Sequence, residues 1–110
     1  MSNPTISRSM RLRAAEELTR QRDALAAGAR RGVGFDRGAH DTLAWLVTGG
    51  PGPLTGAMDT VPIGATAMAH ELAVAEEILS GPPGAGRRYA AGVLQALLWA
   101  RMSTSGPWPT

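Results

Sequence analysis

Residues 87–102, RRYAAGVLQALLWARM, read beside residues 33–48, VGFDRGAHDTLAWLVT, decide the fold. Each stretch places an aromatic residue, a glycine, a leucine and a tryptophan at the same spacing: Tyr89, Gly92, Leu97 and Trp99 in one, Phe35, Gly38, Leu43 and Trp45 in the other. In the later stretch Tyr89, Val93, Leu94, Leu97, Leu98 and Trp99 cover most of the girth of a helix. That profile belongs to a central helix, or to one covered on its second side by a partner. In the earlier stretch Ala39, Leu43, Leu46 and Val47 form a narrower stripe with Trp45 on its flank.

The likeness extends outward. Shifting the chain by 54 residues aligns 15–53 with 69–107 without a gap, and ten positions coincide, among them Glu17/Glu71, Leu18/Leu72, Leu25/Leu79 and Pro53/Pro107. Such self-similarity marks a duplicated supersecondary unit; two alanine-rich hairpins obeying the same packing rules would also resemble each other. Either way, neither hairpin can bury its stripe alone. The expected fold is all-α: a four-helix bundle built from two similar helical hairpins, as a single domain over 1–110. The first hairpin is expected over 7–48, a Gly/Pro-rich connecting loop over 49–64, the second hairpin over 65–102 and a polar tail over 103–110.

Within this plan the first helix is expected over 7–29, capped by Ser7 or Ser9, with Leu12, Ala15, Leu18, Leu25 and Ala29 on one face. Arg13–Glu17 and Glu16–Arg20 are i,i+4 pairs on its wet side. Asp36 reads as the N-cap of a second helix over 37–48, with Phe35 just before it, and Gly49 as its left-handed C′ residue. The Gly49–Gly64 stretch, dense in Gly and Pro, precludes helix or central strand. It carries Leu54, Met58, Val61 and Ile63, which predicts that it lies along the body. A third helix is expected over 65–80, stopped by Gly81-Pro82-Pro83-Gly84, and a fourth over 87–102.

Composition removes several classes of function. The 110 residues include no cysteine, so there is no thiolate nucleophile, disulfide framework or Cys-ligated metal. No apolar run approaches the ~20 residues of a membrane span. The polar N-terminus shows no signal peptide, so a cytoplasmic setting is expected. All 11 basic residues are arginine. Arginine forks suit phosphate and carboxylate, but a GC-rich coding bias produces the same Ala, Gly, Pro and Arg excess. Net charge is +2 and uneven: residues 1–37 hold eight arginines against four carboxylates, and residues 38–110 three against five. Such halves are able to dock on each other, on a second subunit or on a polyanion.

Chemical motifs are weak. Gly32-Val33-Gly34 lacks the preceding strand that a dinucleotide loop needs. Gly84-Ala85-Gly86-Arg87-Arg88 offers amides and guanidinium groups to an anion but has no Lys-Ser/Thr. His40 and His70 lack the Glu-x-x-His spacing of di-iron bundles, and no nucleophile elbow surrounds a serine. No catalytic, metal or cofactor site is therefore expected. The expected function is non-enzymatic: protein–protein interaction, as a homodimer or with another protein, through Trp99, Trp108, Leu94 and Leu98. The alternative is an arginine-mediated nucleic-acid accessory protein, with Arg8, Arg11, Arg13, Arg30 and Arg31 contacting the polyanion.

Overall fold

The computed structural model describes residues 12–101 and Trp108. They form helices α1 (Ala15–Arg30), α2 (Gly34–Thr48), α3 (Ala65–Ser80) and α4 (Arg87–Ala100), with two short strands, β1 (Gly50–Pro51) and β2 (Met58–Asp59), between α2 and α3. The class is all-α, as the periodicity predicts. Among the described residues no helix is long and apolar enough to cross a membrane.

The first helix starts later than its stripe suggests. Leu12–Ala14 is not helical, and Ala14 is extended. The Arg13 amide, which a helix begun at Ser7 would spend on residue 9, donates instead to the Ala100 carbonyl at 2.9 Å. A tertiary tie has outcompeted a local one. Ser7 and Ser9 lie outside the described residues.

The join between α1 and α2 is a Schellman turn. Gly32, at φ 81°, donates to Ala29, and Val33 donates to Gly28 at 3.0 Å, so the last carbonyls of α1 are satisfied by the backbone itself. The chain then enters α2 at once. Asp36 is therefore not the N-cap: Val33 holds that position, with no side-chain cap bond. Asp36 falls in the first turn, where its charge suits the helix dipole, and its carboxylate occupies the space a Gly28 Cβ would need. Phe35 accordingly lies inside the helix rather than ahead of it.

After α2, Gly49 adopts φ 79° and ψ −166°, a positive-φ conformation open to glycine but not the left-handed helical one expected. The segment beyond it corrects a second expectation. It is not plain loop: β1 and β2 pair antiparallel, Gly50 opposite Asp59 and Pro51 opposite Met58. The ladder is only two residues long and tolerates Pro51 because it is an edge. Helix α3 has the expected limits, and α4 ends two residues early, at Ala100.

α1 packs on α2, α2 on α4, and α3 on α4. Leu18, Leu25, Leu43, Leu46, Met68, Val93, Leu97 and Trp99 fill the space between them. The α2–α4 contact is the closest. A Cβ added to Gly38 would overlap the Tyr89 carbonyl, and one added to Gly92 would overlap the Phe35 carbonyl. Glycine within a helix costs about 1 kcal/mol relative to alanine; here it admits the neighbouring backbone. With Ala90, Val93, Ala96, Leu97, Trp99 and Ala100 all buried, most of the apolar girth of α4 is covered within the chain.

Candidate binding cleft

The C-terminal half of α2 and the segment that follows it enclose a cleft of about 340 Å³. Asp41, Ala44, Trp45 and Thr48 form the helix wall; Gly49, Pro51, Gly52 and Pro53 form the loop wall; Tyr89 of α4 closes one side.

Glu71 holds the loop wall in place. Its side chain is 2% exposed. Oε1 accepts the Leu54 amide at 2.8 Å and the Thr55 amide at 3.2 Å, and Oε2 accepts the Thr55 hydroxyl. Gly52 lies so close to Oε2 that a Cβ would overlap it. A buried carboxylate is costly unless its lone pairs are filled, and this one is filled by the loop it organises. The sequence carried a sign of it: Glu71 lies three residues after Met68 and four before Ala75, on the face of α3 that turns inward.

On the other side, the Tyr89 hydroxyl donates to Asp41 Oδ2 at 2.7 Å, and Asp41 Oδ1 lies 3.3 Å from His40 Nδ1. Burial pushes the Tyr89 phenol well above its ordinary value; the hydrogen bond to Asp41 and its charge push the same way, and Arg37 pulls it back in part. Trp45 Nε1 is buried without a hydrogen-bond partner, as is Trp99 Nε1.

The residues singled out from the sequence are dispersed. Trp99, expected at an interface, is in the core at 2% exposure, because the Arg13 side chain and Trp108 cover it. The Arg13 guanidinium lies 4.3 Å from the Trp99 ring centroid, and its Nε donates to the Trp99 carbonyl at 2.7 Å. Trp108 meets the same ring edge-on, with centroids 5.4 Å apart, so this aromatic docks on its own chain. Leu94 and Leu98 are half-buried on α4. Arg13 is only 7% exposed and pairs with Glu17 at 2.9 Å, so its expected place on a polyanion face gives way to an internal role.

Arg30 and Arg31 are exposed where α1 ends. Arg37 and Arg88 are exposed nearby, since a Cβ on Gly34 would sit 3.1 Å from Arg88 Cβ. These four form a cationic end to the molecule, where α2 and α4 begin. Arg87 is committed elsewhere, donating to the Leu79 carbonyl in the last turn of α3 and to the Gly81 carbonyl just past it. Arg8 and Arg11 lie outside the described residues. No group of three or more His, Asp or Glu among the described residues is placed to hold a metal ion.

No protein-family model matches the chain, and no curated protein or solved structure matches it either.

Proposed function

We propose that the chain is a non-enzymatic interaction protein that works through protein–protein contact and associates with copies of itself. The observation that carries this reading is the separation of exposed charge. Arg30, Arg31, Arg37 and Arg88 gather at one end, whereas the exposed charges of α3 are Glu76 and Glu77, with no arginine, and Asp41 lines the cleft. Since α4 is covered largely within the chain, the attraction between copies is polar. It weakens as salt screens it.

The architecture proposed with it is a four-helix bundle of two similar hairpins. The support is reciprocal: Gly38 lies against Tyr89, Gly92 lies against Phe35, and a shift of 54 residues turns one contact into the other. Trp45 and Trp99, related by the same shift, are both buried with an unpartnered Nε1.

Sedimentation velocity across the micromolar range tests the function. Weight-average mass should rise with concentration at low salt and fall back at high salt; a monomer at every concentration and salt rejects the reading. The same cationic end favours a second reading, a polyanion contact through Arg30, Arg31, Arg37 and Arg88. Phosphate-driven binding is strongest at low salt, so absence of DNA or RNA retardation there removes it.

A further inference from the structure

We infer that the Asp41–Tyr89 cleft receives an arginine side chain, Arg30 or Arg31, from the cationic end of a second copy of the chain. This rests on the self-association proposed above and gives it a site.

The chemistry of the ligand follows from which polar groups of the wall are already used. Pro51 and Pro53 have no N–H. The Gly49 amide donates to the Trp45 carbonyl, and the Gly52 amide to the Ala57 carbonyl. The Thr48 hydroxyl donates to the Ala44 carbonyl and the Tyr89 hydroxyl to Asp41. Just behind the wall, the Leu54 and Thr55 amides are taken by Glu71. Trp45 Nε1 is unspent but buried from solvent. The wall thus presents acceptors, the Asp41 carboxylate foremost, with its exposed donors consumed.

A ligand for such a wall brings donors and no acceptor, and a guanidinium brings five donors and none. The charge at the wall is the Asp41 carboxylate, 44% exposed, with Arg37 a helical turn before it and His40 beside it; Glu71 lies buried behind the wall, its oxygens taken by Leu54 and Thr55. Pro51, Pro53 and Trp45 supply apolar surface for the side-chain stem. Arg30 and Arg31 are exposed on the turn that ends α1, a projecting position on a different patch from the cleft. A contact between unlike patches is heterologous, so association continues past the dimer, to a ring or a filament.

Two variants test this in combination. Asp41→Asn keeps an acceptor for Tyr89 but removes the charge; Arg30→Glu/Arg31→Glu keeps the cleft but spoils the cationic end. Each alone should associate about tenfold more weakly than the wild type or worse, the effect of losing one charge-assisted contact. Mixed, they should form a complex that stops at one copy of each, because only one working cleft and one working end are present. If the wild type associates and Asp41→Asn associates equally well, the cleft assignment is overturned while self-association stands. If the wild type is monomeric throughout, both fall.

A measurement on the wild type alone covers the case of a variant that loses its wild-type circular dichroism. In an amide NMR titration, arginine amide should shift the Gly49 and Gly52 signals and Trp45 Nε1–H, and norleucine amide should not. Equal shifts with both, or none with either, overturn the assignment.

Discussion

Gly38→Ala is the sharpest perturbation of the fold. On an isolated helix the added methyl would stabilise by about 1 kcal/mol. In this chain the same methyl would overlap the Tyr89 carbonyl oxygen, with the Val93 amide nitrogen 3.1 Å away. Both neighbours are backbone and cannot rotate aside, so α2 and α4 must move apart. Overpacking of this kind costs about 1–3 kcal/mol, occasionally more. Separation also thins the contacts of Leu43, Val93 and Leu97, where a gap of 0.5–1 Å forfeits about a quarter to a half of the dispersion well. The expected net loss is about 2–3 kcal/mol, which for a domain of this size lowers Tm by about 10–20 °C. Gly92→Ala should cost a similar amount through the Phe35 carbonyl. Because either methyl forces the same separation, the double variant should cost about 1 kcal/mol less than the sum of the two. Urea and thermal melts followed by far-UV circular dichroism give all four corners of the cycle. A Gly38→Ala protein more stable than wild type, by the amount helix propensity alone predicts, would refute the close crossing.

Other perturbations follow from the same contacts. Glu71→Ala strands the Leu54 and Thr55 amides and the Thr55 hydroxyl, for a loss of about 3–5 kcal/mol, whereas Glu71→Gln keeps one acceptor and should lose about half of that; urea midpoints and faster amide exchange at Leu54 and Thr55 read the difference. Arg13→Lys removes the planar fork that stacks on Trp99 and donates to its carbonyl, so it should destabilise by about 1 kcal/mol although the charge is kept; equal stability of the two proteins in urea would show that the stack contributes nothing. The Tyr89 phenol is pushed up in the folded chain, so above about pH 10 the unfolded chain releases a proton that the folded one retains. Stability is therefore present below that pH and falls as pH rises beyond it, a slope that Tyr89→Phe should flatten in alkaline melts.

The helices were legible where punctuation bounds them. Gly64 and Gly81 bracket α3, whose limits match the pattern, and Gly49 closes α2. The errors lie where tertiary or backbone interactions replace side-chain signals. The stripe suggests an unbroken helix through Leu12 and Ala15, but Leu12–Ala14 are not helical and the Arg13 amide bonds to Ala100, 87 residues away. Asp36 looks like a cap, but the Schellman bonds of Gly32 and Val33 leave no gap for one. The β1–β2 ladder was hidden because its register is supported by Glu71, a residue of the next helix. Trp99 sits on the apolar stripe of α4, which favours the core, but only the structure shows Arg13 and Trp108 lying over it. The cleft itself joins Asp41 to Tyr89 across 48 residues, a pairing no local pattern announces. Glu71 alone gave a hint, as a carboxylate on an apolar stripe.

Sedimentation velocity of wild type and Asp41→Asn at matched concentrations in low salt tests the functional account most directly. The wild type should show mass growing beyond a dimer as concentration rises, and Asp41→Asn should remain near the monomer mass. Indistinguishable profiles for the two proteins would contradict it.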